Sequence, residues 1–289
     1  ILTGSSARKL KRGGANLLGG RAITYNLFPF THLELKDEFD LNKVLMFGSL
    51  PKVYFTKADE DKVLLLKSYV KTYLREEILI EQVVRNIRPF NSFLEIAAQM
   101  NGELINKSKI AKDVGADDKT IASYFEILED TLLGFHLKPF HRSVRKRQSN
   151  AAKFYYFDLG VKRAIENTVK LTLSKRTTEY GRAFEHFILT EFYRLNEYYE
   201  KDFRMSFLRT KDDAEIDLII ERPGEKELLV EIKSTEKVTD ADTRTLNHFI
   251  NTWDKPCEGQ LWSQDPIEKK IEQAYCMHWK KALKLCFSK

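Results

Sequence analysis

Three side chains close together in this sequence could do metal chemistry. Asp217 lies in the run Glu215-Ile-Asp-Leu-Ile-Ile220, and Glu231 and Lys233 lie in Leu228-Leu-Val-Glu-Ile-Lys233. Two carboxylates held a few ångströms apart repel each other unless a cation lies between them. Oxygen donors of this kind suit Mg²⁺ or Mn²⁺. A lysine beside such an ion can lower the pKa of an attacking water, or stabilise charge developing at phosphorus. The chemistry implied is metal-dependent phosphodiester cleavage, with Asp217 and Glu231 as metal ligands and Lys233 as a catalytic residue. The plainer account is an amphipathic hairpin with acids and bases facing solvent, and Glu-x-Lys alone does not separate the two.

The elements that must position these groups are legible. Ile216, Leu218 and Ile220 alternate with Glu215, Asp217 and Glu221, which is the period of a strand. Arg222-Pro-Gly-Glu is turn chemistry, and Leu228 to Ile232 is β-rich again, so the two runs predict a hairpin. Alternation puts Glu231 and Lys233 on one face, which Asp217 reaches in the right register. Upstream, Tyr180-Gly-Arg-Ala-Phe-Glu-His-Phe-Ile-Leu-Thr-Glu-Phe-Tyr predicts a helix, with Phe184, Ile188 and Leu195 on one stripe and Leu189 and Phe192 beside it. Glu185 falls at the border of that apolar face, where a charge needs a partner. It is either salt-bridged to Arg182 or Arg209, or a third carboxylate of the site.

These residues carry a resemblance. Gly181-x-x-Phe-Glu185, Phe207-Leu-Arg-Thr, Ala214-Glu-Ile-Asp217 and Val230-Glu-Ile-Lys-Ser234 resemble the C-terminal domain of a large prokaryotic family of AAA+ ATPases. That domain is usually catalogued as one of unknown function and is similar to the PD-(D/E)XK nucleases, which have the restriction-endonuclease-like fold. The resemblance implies that Asp217 and Glu231 bind Mg or Mn, that Lys233 is the catalytic lysine, and that Glu185 is the acid of the first helix. Arg209 matches the arginine that commonly precedes the first motif strand and is expected to contact nucleic acid. Ile216-Asp217 stands where the motif has Pro-Asp.

The opening residues point to the same family. Leu2-Thr-Gly-Ser-Ser, Gly19-Gly-Arg-Ala and Leu27-Phe-Pro-Phe-Thr-His-Leu-Glu resemble the end of an AAA+ core. By that resemblance Ser5 and Ser6 match a polar nucleotide sensor, and Arg21 matches a Gly-Arg motif that senses the γ-phosphate. Taken without the resemblance, Gly4-Ser-Ser is a flexible loop. No Gly-x-x-x-x-Gly-Lys-Ser/Thr occurs in the sequence. The ATP-binding half is therefore expected upstream, with ATP a cofactor, and a homo-oligomer an expectation, only for the intact protein.

Asp59 to Val84 runs without Pro or Gly and predicts a long packing helix, with Arg75-Glu-Glu on its solvated face. A second module begins at Pro89: a helix over 90–100, a short one over 107–114, and a third capped by Asp117 that runs to about Leu132. With Gly115 in the turn this is a helix-turn-helix pattern. Thr120, Ser123 and Tyr124 start the recognition helix, where groove contacts are made. Leu137-Lys-Pro-Phe and Lys153-Phe-Tyr-Tyr-Phe predict the strands of a wing. Arg142, Arg145, Lys146 and Arg147 at its tip suit phosphate contacts. The alternatives are a solvated loop, and a winged helix that binds a protein partner; Glu126, Glu129 and Asp130 disfavour deep insertion into DNA.

With 289 residues the chain has room for two or three domains, and its net charge of +6 is compatible with phosphate binding. Cys257, Cys276 and Cys286 are few and odd in number, which argues against a disulfide framework or a zinc site. His278 reads as structural. No apolar run is long enough to span a membrane, and the composition fits a cytoplasmic nucleic-acid protein. The expected architecture is mixed α/β: an AAA+ remnant over 1–35, a helical lid over 36–88, a winged helix-turn-helix over 89–166, a linker over 167–178, and an α/β/α restriction-endonuclease-like domain over 179–289. The expected function is that of the C-terminal part of an AAA+ ATPase with a Mg-dependent nuclease domain. The alternative is a catalytically inactive DNA-binding or protein-interaction module.

Overall fold

A computed structural model describes residues 23, 25–74, 87–143 and 151–288. The expected nucleotide sensors Ser5, Ser6 and Arg21, the basic residues Arg145, Lys146 and Arg147, and Arg75-Glu-Glu lie outside the described residues. The chain divides into two units. One comprises Ile1–His136 and Lys153–Thr172, the other Leu137–Ala152 and Leu173–Lys289.

The first unit is mainly helical. Its helices are α1 (His32–Leu35), α2 (Leu41–Phe47), α3 (Pro51–Phe55), α4 (Asp59–Ser68), α5 (Ile87–Gln99), α6 (Lys107–Val114), α7 (Asp118–Asp130) and α8 (Leu159–Ile165). Short polar side chains start them by accepting orphan backbone N–H groups: Asp40 from Lys43, Asn106 from Lys109 and Asp117 from Thr120. Gly115 ends α6 at φ +70°, a left-handed conformation that glycine adopts without steric cost. The long helix expected from Asp59 stops at Ser68 and passes into a π turn, Tyr69–Leu74. Helix α8 has no counterpart in the sequence reading. Asp158 builds it, accepting the Val161 N–H at 3.0 Å and the Ser49 N–H at 2.8 Å. Strands β1 (Gly134–Pro139) and β2 (Lys153–Tyr156) are neighbours where a wing was expected. A single hydrophobic cluster runs from Phe47 and Leu66 through Phe90, Phe93, Tyr124 and Phe125 to Tyr156 and Val161. The regions read as a lid and a winged helix therefore share one core.

The second unit is an α/β structure. Helix α9 (Thr178–Tyr198) leads into β3 (Arg204–Arg209), β4 (Glu215–Glu221), β5 (Glu227–Ile232), α10 (Asp240–Thr252), β6 (Cys257–Ser263), β7 (Lys269–Ile271), β8 (Ala274–His278) and α11 (Trp279–Phe287). The sheet runs from the end of β1 in the order β3-β4-β5-β6-β8-β7. β3, β4 and β5 form an antiparallel meander, while β6 joins β5, and β8 joins β6, in parallel. Neighbouring residues of one strand face opposite ways. Leu261 of β6 belongs to a cluster with Leu246 and Phe249 of α10, whereas the Trp262 ring lies 6.1 Å from Phe192 of α9. Phe187 of α9 in turn meets Trp279 of α11 at 5.1 Å. Helix α10 thus covers one face and α9 with α11 the other, giving the three layers that an α/β/α domain needs to bury both faces.

Candidate active site at the β4–β5 hairpin

The hairpin sets the site. Leu218 pairs with Val230, Ile219 with Leu229 and Ile220 with Leu228. The paired ladder ends there; Ile219 and Leu229 are directly opposed and so share a face, and strand alternation puts Asp217 with Ile219 and Glu231 with Leu229 on it. The β5 alternation adds Lys233 to that face, and the β4 alternation adds Glu215.

Each group has a distinct environment. One Asp217 carboxylate oxygen, Oδ2, accepts the Ile232 N–H at 2.7 Å. Glu231 is buried, with 5 % exposure, in a chain where most glutamates are solvated. Its Oε1 pairs with the Lys233 ammonium at 2.6 Å, while its Oε2 is buried without a hydrogen-bond partner among the described residues. Burial pushes the Asp217 carboxyl well above the ordinary aspartate range; the charges of Glu231 and Glu185 push further, against Lys233 and the Ile232 N–H. Burial also raises Glu231, an effect that Lys233 offsets only in part. Burial pulls Lys233 down, yet Glu231 and Asp217 outweigh it and hold the ammonium above the usual lysine value.

Helix α9 is tethered to the end of β5. The Lys175 ammonium pairs with Glu236 at 2.6 Å. Gln264, just past β6, donates to the Ser234 carbonyl at 2.8 Å, and its side-chain oxygen accepts the Tyr180 hydroxyl at 3.5 Å. Glu185 follows Tyr180 on the same helix, near enough for its charge to act on both Asp217 and Glu231. Among the described residues, however, no three His, Cys, Asp or Glu side chains are gathered closely enough to hold a metal ion. The donors themselves fit a hard divalent cation. They are two carboxylates on one face, one with a buried oxygen lacking any partner, and cation binding would relieve that desolvated charge.

The other predicted residues divide. Arg209 is engaged by Asp213 at 3.0 Å and by Glu215 at 3.8 Å. Arg142, expected at a wing tip, belongs to the second unit and faces Asp254 at 3.6 Å and Glu227 at 3.9 Å. Both contacts are long and partly exposed. Tyr124 is a correction. Its ring is 7 % exposed and packs 5.0 Å from Phe90 and 5.2 Å from Phe93, so it serves the core and not a DNA groove. Ser123 is exposed and Thr120 half-buried at the start of α7. Glu129 is also structural, accepting the His136 backbone N–H and pairing with its ring. His278, read as structural, caps α11 by accepting the Lys280 N–H. Gln264 and Glu215 escaped the sequence reading. The one signal for Gln264 was its position at the end of a central strand.

Residues 38–172 match a family described as a domain of unknown function (DUF8612), and residues 180–268 match another (DUF4143). The second match covers the segment whose motifs resemble the C-terminal domain of unknown function of prokaryotic AAA+ ATPases. An uncharacterized protein of Mycobacterium tuberculosis is 24 % identical over 78 % of this chain and 50 % of its own length. One of Haemophilus influenzae is 24 % identical over 96 % and 70 %, and one of Methanocaldococcus jannaschii 23 % over 88 % and 62 %. The chain thus spans about half the length of the mycobacterial relative. The solved assembly of Thermococcus gammatolerans McrB AAA+ hexamers with bound McrC aligns over 66 % of this chain and 46 % of its own at 11 % identity. Its TM-score of 0.26 is too low to define a shared fold. No described helix is long and apolar enough to cross a membrane.

Proposed function

We propose that this chain is the C-terminal part of an AAA+ ATPase acting on nucleic acid, and that its second unit is a PD-(D/E)XK-type, metal-dependent phosphodiester-cleaving domain. The observation that carries the reading is the grouping at the open end of the hairpin: Asp217 close enough to act on a buried Glu231, whose Oε2 has no hydrogen-bond partner among the described residues, with Lys233 paired to its Oε1.

In this reading Asp217 and Glu231 hold Mg²⁺ or Mn²⁺, and the bound ion supplies a nucleophilic water at neutral pH. In the cation-free site the carboxylates outweigh burial and hold the Lys233 ammonium above the usual lysine value. Beside a bound ion its part would be to orient or deprotonate the water, or to stabilise negative charge at phosphorus. Glu185 contributes charge to the site from α9. Gln264 holds the start of α9 against the segment after Lys233, which fixes where that charge sits. ATP binding and homo-oligomer formation belong to the intact protein, and DNA is the expected substrate.

The test is cleavage of supercoiled and single-stranded DNA in Mg²⁺ or Mn²⁺ by this chain and by Lys233→Ala. Metal-dependent cutting that falls by about 10²-fold or more in the variant is the expected result. A second reading, a non-catalytic DNA-binding or protein-interaction module, draws on one observation: among the described residues no three carboxylates converge to hold a metal ion. Retained DNA binding without cutting by either protein would favour it.

A further inference from the structure

Glu231 is not waiting empty-handed. Its Oε1 already holds a cation, the Lys233 ammonium, at 2.6 Å. The Glu231 side chain is 7 % exposed and the Lys233 side chain 40 % exposed, so one partner is fixed in the sheet while the other reaches it from the solvent edge. Asp217, whose charge acts on the same site, is anchored through Oδ2, which accepts the Ile232 N–H.

We propose that Lys233 occupies the cation position of the resting site and thereby selects the ions that can enter: a divalent cation displaces the ammonium, and a monovalent one does not. The inference rests on reading Asp217 and Glu231 as the cation ligands. The reasoning is one of charge and tethering. A lysine fixed two residues from Glu231 re-forms its pair as an intramolecular step, without the translational cost a free ion meets. A monovalent ion offers the same single charge without that advantage. A divalent ion doubles the Coulomb attraction to both carboxylates at the same distance. Displacement is open to Lys233 because its partly exposed side chain can turn to water without a buried charge being left behind. The competition has a measurable cost to affinity. If the pair is formed about nine times in ten, the apparent dissociation constant is about tenfold weaker than that of the vacated site.

The experiment is a Mn²⁺ titration followed by electron paramagnetic resonance, on the whole 289-residue chain, with Lys233→Met and Lys237→Met beside it. Lys237 is exposed and lies outside the site. Lys233→Met should bind Mn²⁺ about tenfold more tightly than the unsubstituted protein, and Lys237→Met within about twofold of it. Equal affinity in Lys233→Met overturns the inference while leaving the carboxylates as ligands. Equal tightening in Lys237→Met also overturns it, by reducing the effect to net charge. No Mn²⁺ binding by any of the three overturns the underlying site reading itself. A second measurement needs no variant. The side-chain ¹⁵N resonance of Lys233 should leave its ion-paired position on addition of Mg²⁺ and stay there on addition of NaCl; persistence of the pair at saturating Mg²⁺ would sink the proposal.

Discussion

The β4–β5 hairpin and the α6–α7 pair were both read from sequence as places where polar side chains meet nucleic acid, and they are built in opposite ways. At the hairpin the polar groups go inward. Glu231 is buried, Asp217 shares its face, and an oxygen is left without a partner. In α6–α7 the polar groups mostly stay at the surface or cap helices, and the aromatic residue that might have reached a groove, Tyr124, is drawn into the core. Burying a carboxylate oxygen without a hydrogen-bond partner costs stability; Glu191 and Glu221 also bury a carboxylate oxygen, and what sets Glu231 apart is that Asp217 and Lys233 act on it. A helix pair that satisfies its own polar groups and fills its core with aromatic rings needs no ligand to explain it.

Three substitutions sharpen the contrast. The largest effect belongs to the core of the helical unit. Tyr124→Ala should destabilise that unit by about 3–5 kcal/mol, the cost of deleting a buried aromatic ring. Urea unfolding measures it, and DNA affinity per folded molecule should be unchanged. A folded Tyr124→Ala chain with full stability and weakened DNA binding would restore the groove-contact reading.

The next effect has the opposite sign. Asp217 is held above the ordinary aspartate range, so its proton is bound more tightly in the folded chain than in the unfolded one. Below the unfolded value, near pH 4, both states are protonated and nothing is lost. As pH rises through the folded value the folded state is penalised. In the presence of EDTA, Asp217→Asn should therefore melt with the parent near pH 4, and above it by about 2–4 °C at pH 8, the shift that about 1 kcal/mol produces in a protein of this size. Melting curves that stay parallel across this range would show that Asp217 carries no such strain.

The smallest effect is at the surface. Arg142→Ala removes long, partly exposed contacts to Glu227 and Asp254 and should cost less than about 1 kcal/mol, with the loss screened by salt. If Arg142 serves these contacts and not phosphate, DNA affinity changes little. A tenfold loss of DNA affinity in this variant would return Arg142 to the phosphate contacts.

The sequence carried much of this, and its failures have physical causes. The hairpin was legible because its period-two pattern and Pro-Gly turn are local signals, and register then followed from the pairing of Leu218 with Val230. Helices α6 and α7 were legible from the Asp117 cap and the Gly115 turn, and α9 from its apolar stripes. Helix α8 was not, because it depends on Asp158 reaching Ser49, a contact 109 residues away in sequence. Tyr124 was misjudged for a related reason: whether an aromatic ring on an amphipathic helix faces a groove or a core is settled by partners such as Phe90, which the local pattern does not contain. Gln264 joins Tyr180 to Ser234 across three separate segments, and no spacing rule connects them.

The central claim is that Asp217 and Glu231 together hold a divalent cation. Isothermal titration of the unsubstituted chain, Asp217→Asn and Glu231→Gln with Mn²⁺ at pH 7.5 tests it most directly. The account predicts saturable binding at a single site that both substitutions abolish. Absence of binding at millimolar Mn²⁺ in the unsubstituted chain, or binding that survives both substitutions, would contradict it.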